Sequence, residues 1–223
     1  MSLRVVVYAE GPGETGGSAG RKAPGQELLD DELGAAHVLV RRCLSRGDLI
    51  PAAAVRFHEP LRTPAGHVAR GSDLYNMRTL RKLLTWFRAP PPPDVAVVLV
   101  DADGERSRKS TLEDGTRTVS QAKVIGVAIQ EFEAWLIADH VRVTEALGAP
   151  FATTRDPETM NRREAKELLA QAIASAGKGP HNVRRTIAEL CDLDVVAGRC
   201  SAFADFRAEL LQTALAAQTH FRQ

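Results

Sequence analysis

The sequence predicts an α/β domain, a mainly parallel sheet flanked by helices, with a C-terminal helical extension. Three observations predict it: short apolar runs without alternation, helical stripes between those runs, and no convincing strand beyond about residue 150. "LRVVVYA" at 3–9 is β-branched and continuous, the pattern of a strand covered on both faces. Leu29, Leu33, Ala36, Val40 and Leu44 then fall at helical spacing and mark a helix over 26–45. "AAAVRF" at 52–57 reads as the second strand. Leu74, Met77, Leu80, Leu84 and Phe87 mark a second helix, stopped by four prolines that begin at Pro90 and form a rigid spacer. Arg78, Arg81, Lys82 and Arg88 are its solvated face. "VAVVLV" at 95–100 is the strongest strand and "VIGVAI" at 124–129 the last; Phe132, Trp135, Leu136 and Val143 follow as a helical stripe, with Trp135 in the core. Strands alternating with helices connect by crossovers, so the sheet is parallel.

The domain is placed at 1–150 and the extension at 151–223. Asp156-Pro157 has the form of a helix start. It precedes "ETMNRREAKELLAQAIASAG", and two more helical segments lie near 182–191 and 201–219. Stripes such as Ala165, Leu168, Leu169 and Ile173 are too apolar for three short helices to bury among themselves, so the extension is expected to pack on the α/β domain.

Composition narrows the function classes. With 223 residues, 44% of them hydrophobic, the chain supports a substantial core. A net charge of +1 excludes a polybasic coat, so any nucleic-acid contact must come from a local patch. No apolar run approaches the ~20 residues of a spanning helix, and the first residues resemble neither a signal core nor a transit segment; a cytoplasmic protein without a membrane partner is expected. Cys43, Cys191 and Cys200 lack the close pairs of a zinc or redox motif and read as inert thiols. The six histidines show no H-x-x-x-H.

The stretch after the first strand, "EGPGETGGSAG", is ambiguous. Gly11, Gly13 and Gly16 satisfy G-x-G-x-x-G, but Gly17, Ser18, Gly20 and Pro24 postpone a helix to about Gln26, whereas a dinucleotide fingerprint needs one at its last glycine. A phosphate loop needs a lysine where Gly17 stands, and Glu10 and Glu14 would repel the anion. The other strand ends explain these glutamates better. Asp101 and Asp103 close the "VVLV" strand, two residues apart and on one side of an extended backbone; Gln130, Glu131 and Glu133 follow "VIGVAI". In a parallel sheet these ends share one crevice. Clustered carboxylates need a proton or a hard cation, and oxygen-only ligands suit Mg²⁺ or Mn²⁺.

Glu10-Gly11-x-x-Glu14, the D-x-D of Asp101 and Asp103, and a third acidic motif after the next strand resemble the Toprim domain of topoisomerases, primases and overcoming-lysogenization-defect nucleases. "EGPGE" together with "AIQEFEAWLIAD" resembles more narrowly a prokaryotic Toprim-like family, domain of unknown function 4276, whose C-terminal features the later "GK" and "CSAFADF" also resemble. The resemblance implies that Glu10 and Glu14 share a divalent metal with Asp101, that Asp103 helps a second, and that Glu131 or Glu133 completes the cluster. It further implies a lysine near the scissile phosphate, for which Lys178 in "AGKGPHN" is the candidate, Lys166 being read as a surface lysine within a helix.

On this reading Glu10, Asp101, Asp103 and Lys178 are catalytic, and two Mg²⁺ or Mn²⁺ ions serve a nuclease that hydrolyses phosphodiesters of DNA or RNA. The family context adds defence against phage beside an ATPase partner, which no residue of the chain carries. Two alternatives are open. "VVLVDADGERS" resembles the D-x-D-G of haloacid dehalogenase phosphatases, although that motif normally lies on the first strand. A non-catalytic Toprim-like protein that docks an ATPase or nucleic acid is the other.

Overall fold

The computed structural model describes residues 2–16, 20, 22–85, 92–153 and 155–220. The middle of the glycine-rich loop, Gly17 and Ser18 included, and Phe87, Arg88, Pro90 and Pro91 lie outside the described residues. Four strands form one sheet: β1 (Leu3–Ala9), β2 (Val55–His58), β3 (Val95–Asp101) and β4 (Lys123–Ala128). Their order is β2-β1-β3-β4 and every pairing is parallel, with Val5 opposite Val95 and Leu99 opposite Gly126. The mainly parallel sheet expected from the apolar runs is therefore present.

Strand alternation divides the core in two. Val5, Val7 and Ala9 of β1 and Val95, Val97 and Leu99 of β3 face one cluster; Val6, Tyr8, Val98 and Val100 face the other. The second layer is closed by α3 (Ser72–Tyr75), α4 (Met77–Thr85) and α5 (Arg108–Thr116). The first layer is closed by α2 (Ala35–Leu44), α6 (Phe132–Ile137), α7 (His140–Leu147) and four later helices. These are α8 (Glu164–Ser175), α9 (Pro180–Leu190), α10 (Leu193–Arg199) and α11 (Ser201–His220). Helix α11 lies against β4 and α2, α9 against α2 and α7, and α8 against α6, so residues after 150 share a continuous core with the sheet.

Several expectations need correction. A one-turn helix, α1 (Pro12–Thr15), follows β1 directly, whereas none was expected before Gln26. The next helix starts at Ala35, because Glu27 bridges His58 and the Leu28 N–H bonds Phe57 O, which holds this segment extended beside β2. Leu29, assigned to the buried stripe, is 61% exposed. Residues 52–54 form a 3₁₀ turn after Pro51, so β2 starts at Val55. The stripe from Leu74 is two helices broken at Asn76, and that from Phe132 is also two, with Asp139 capping α7 through the Arg142 N–H. Asp156 caps only a 3₁₀ turn, Pro157–Thr159; α8 starts at Glu164, after Arg163 in the left-handed region. Helices α5 and α10 were not foreseen.

Trp135 is 1% exposed and packs on Phe203 and Phe206 of α11, ring centroids 5.3 and 5.5 Å away. "EFEAWLIAD" and "CSAFADF" thus meet as one apolar joint between the sheet domain and the last helix. The three cysteines are free and buried.

Candidate functional site

Strand order places the site. After β1 the chain adds β2 on one side and β3 on the other, so the direction of winding reverses between β1 and β3, where a parallel sheet opens a crevice at its carboxyl end. Glu10 follows β1 and Asp101 ends β3, on the two lips of that crevice. The Asp101 N–H donates to Glu10 Oε2 at 2.9 Å, and the Tyr75 hydroxyl donates to the same oxygen. Arg108 lies over the Tyr75 ring, 4.0 Å from its centroid. Asp101 Oδ1 accepts the Phe132 N–H at 2.7 Å, tying β3 to the start of α6.

Glu14 occupies the third position of α1, and its carboxylate takes a backbone hydrogen bond from Gly11. This is the reach-back of a capping glutamate. A Cβ on Gly11 would stand 2.7 Å from Glu14 Oε1, so the first glycine of the loop makes room for this carboxylate. Gly34 has a different constraint: its Cβ would meet Glu14 O at 2.3 Å, where the loop after β1 presses on the start of α2. Of the loop glycines, Gly11 serves the placement of Glu14, and Gly16, with φ 99°, serves close packing, since its Cβ would meet Glu32 O at 2.5 Å.

The six predicted acids separate into two groups. The inner group is Glu10, Glu14, Asp101 and Glu133, whose negative charges raise the cost of ionising Glu14 and Asp101. Burial, then Asp101 and Glu133, hold the Glu14 carboxyl well above the usual range, and burial followed by Glu10 pushes Asp101 up to about 8. Glu14 and Glu133 are 4% and 3% exposed, and Glu14 Oε2 and Glu133 Oε2 have no hydrogen-bond partner. The ion pair of this group is Arg184 of α9, 3.2 Å from Glu133 Oε1.

The outer group is Asp103 and Glu131. They line a cleft of about 420 Å³ with Glu10 and Asp101, opposite Arg162, Arg163 and Lys166. Arg162 Nε is 2.9 Å from Asp103 Oδ1, and Glu131 Oε2 accepts the Lys166 N–H at 3.0 Å. Burial raises the Glu131 carboxyl. Asp103 is not on an extended strand as expected: its φ is 52°, in the turn that leaves β3. Among the described residues only Asp103, Gln130 and Arg163 are non-glycine with positive φ, and all three lie in segments that border this cleft. Strained backbone of this kind concentrates at functional sites.

The structure does not bring Lys178 to the carboxylates. Its ammonium donates to Ala146 O at 2.8 Å, at the end of α7. Lys166, read as a surface lysine, lines the cleft instead, because Glu131 anchors the first turn of α8. Arg162, Arg163, Arg184 and Tyr75 were also missed; the basic run "NRREAK" after Asp156-Pro157 was the available signal, and Tyr75 had none.

Among the described residues, no three His, Cys, Asp or Glu side chains are arranged to hold a metal ion as they stand. Glu10, Asp101, Glu131, Asp103 and one oxygen of Glu133 are engaged with protein donors. The buried acid oxygens without a partner are Glu14 Oε2 and Glu133 Oε2, in carboxylates electrostatically coupled to Asp101, so this oxygen-only inner set is the one chemically suited to a hard divalent cation.

Fold and site together define a parallel α/β protein with an acidic cleft at its topological switch point and a basic wall supplied by its C-terminal helices. The chain belongs to the family described as Domain of unknown function (DUF4276), whose model matches residues 32–211. The match includes Asp101, Asp103, Glu131, Glu133 and Lys166 and starts after Glu10 and Glu14. No curated protein and no solved structure matches the chain. No helix among the described residues is long and apolar enough to cross a membrane.

Proposed function

We propose that this protein is a divalent-metal-dependent nuclease of Toprim-like type, hydrolysing phosphodiesters of nucleic acid in the cleft between the acids and the basic wall. One observation carries the reading: carboxylates from three strand ends, Glu10, Asp101, Asp103 and Glu131, line a cleft together with Arg162, Arg163 and Lys166, and behind Asp101 the buried Glu14 and Glu133 each keep an oxygen without any partner. A buried acid without a partner costs free energy unless a ligand supplies one. Mg²⁺ or Mn²⁺ supplies it, and supplies Lewis acidity toward a phosphoryl oxygen and a bound water of lowered pKa.

The chain's own residues divide the remaining work. Glu10, Glu14, Asp101 and Glu133 hold the cation, and Asp103 with Glu131 form the place for a second. Tyr75 and the Asp101 N–H fix one oxygen of Glu10, leaving the other for a ligand. Lys166 and the two arginines bind phosphate oxygens, Lys166 taking the role expected of Lys178 and stabilising developing negative charge. The chain's net charge of +1 fits a nuclease whose grip on nucleic acid is this local wall or a partner such as an ATPase.

The engagement of nearly every acid with a protein donor favours a second reading, a non-catalytic Toprim-like protein that keeps the carboxylates as structural ties. A cleavage panel of single- and double-stranded DNA and RNA, with Mg²⁺ or Mn²⁺ and with or without a co-purifying ATPase, separates the two. The nuclease reading expects metal-dependent cleavage that Asp101→Asn abolishes. Absence of cleavage under all conditions, with no Mn²⁺ binding, leaves the second reading.

A further inference from the structure

From the Asp103–Arg162 pair we infer that phosphate and metal bind to this cleft with positive coupling: a phosphodiester takes Arg162 away from Asp103, and the freed Asp103 carboxylate becomes a cation ligand. The inference rests on the metal-site reading and concerns the order in which that site is completed.

Asp103 sits in the cleft with Glu10, Asp101 and Glu131, yet the Arg162 guanidinium 2.9 Å away neutralises it. A carboxylate so paired is a poor cation ligand, and a guanidinium so paired is a poor phosphate ligand. Each blocks the other's function while the cleft is empty of substrate. The pair is weakly held. Arg162 precedes α8, its side chain is 64% exposed, and among the described residues its ion pair is with Asp103, so breaking the contact costs little. A phosphate offers the planar guanidinium a bidentate, doubly charge-assisted contact that a single Nε–Oδ1 contact does not match. Arg163 and Lys166 line the same wall and add charge for the anion. Asp103 cannot follow Arg162 outward, because its φ of 52° and the turn through Gly104 fix it at the end of β3. It stays beside Asp101 with its charge exposed to the cleft. The inner group shows the opposite arrangement: Arg184 is 13% exposed and pairs with a buried glutamate, and no comparable exchange is open to it.

The test uses the full chain, Mn²⁺, and dimethyl phosphate as an inert phosphodiester, with free Mn²⁺ read by its electron paramagnetic resonance signal. In the wild type, dimethyl phosphate should tighten Mn²⁺ binding about tenfold or add a second ion. Arg162→Gln should bind Mn²⁺ tightly without the diester and lose the response to it. Asp103→Asn should bind the inner ion only, with or without the diester. Wild-type Mn²⁺ binding that dimethyl phosphate leaves unchanged, or an Arg162→Gln protein that responds as the wild type does, overturns the coupling and leaves the metal site standing. Absence of Mn²⁺ binding in every protein overturns both.

Discussion

Asp101 and Asp103 are neighbours at one strand end, as Glu133 and Glu131 are at the next, yet the inner and outer member of each pair are handled in opposite ways. Glu10, Glu14, Asp101 and Glu133 are crowded, with one ion pair, and two of their oxygens have no partner. Asp103 and Glu131 face three cationic residues, and Asp103 is paired with an exposed arginine. The first group accumulates an electrostatic cost that, on the proposed reading, a cation would remove. In the second, Asp103 is neutralised by Arg162 and Glu131 is tied to the Lys166 backbone, and the inferred coupling would have Asp103 lose its partner to an anion. Proximity to a strand end is therefore not enough to make an acid a ligand; what compensates its charge decides.

The largest expected effect separates the groups at one strand end. Asp101→Asn retains an oxygen to accept the Phe132 N–H but removes the charge that Glu10 and Glu133 oppose. Without metal at pH 8 it should be more stable than the wild type by up to about 5 kcal/mol, while metal-dependent cleavage falls by at least ~10³-fold. Thermal unfolding in EDTA and a nicking assay measure the two. An Asp101→Asn protein that is destabilised and fully active would make Asp101 a structural tie only.

Arg184→Met sharpens the comparison from the other side. It leaves Glu133 buried without its cation and should cost about 3 kcal/mol in EDTA, with Mn²⁺ restoring much of the loss. If Mn²⁺ restores nothing, Glu133 is not a ligand. The pH dependence has a defined sign. The folded Asp101 carboxyl keeps its proton up to about 8, against 3.8 for the free group. The native state thus binds more protons across that window, so metal-free stability is present below about pH 4 and is lost as pH rises toward 8. Melting temperature in EDTA should fall over this range in the wild type and fall less in Asp101→Asn.

How much of this was legible in the sequence follows the same physics. Strands β1, β3 and β4 are continuous apolar runs because both faces are covered, and the acids that end them read as one crevice without coordinates. Helix α5 was invisible because it is polar nearly all round, burying only Leu112 and Thr116. The stripe from Leu29 misled because a helix-period pattern does not reveal that Glu27 pairs with His58 across more than two dozen residues. The choice between Glu131 and Glu133, and between Lys166 and Lys178, depends on where α8 and α9 dock, which is tertiary information. Glu133 meets Arg184 and the inner acids; Glu131 meets the backbone of Lys166.

The smallest effect belongs to the outer group. Asp103→Asn loses an exposed ion pair and should change stability by no more than ~0.5 kcal/mol, whatever it does to metal stoichiometry. A change as large as that of Asp101→Asn would erase the distinction between the groups.

Relief of the inner carboxylates by a cation is what the metal-site reading most directly requires. Thermal unfolding at pH 8 in EDTA and in Mn²⁺ at about 100 times its dissociation constant, for the wild type and Glu14→Gln, measures this. The wild type should gain about 2.7 kcal/mol with Mn²⁺, and Glu14→Gln should be more stable in EDTA yet gain little. Equal melting in EDTA and Mn²⁺ for the wild type, or an equal gain in both proteins, would contradict it.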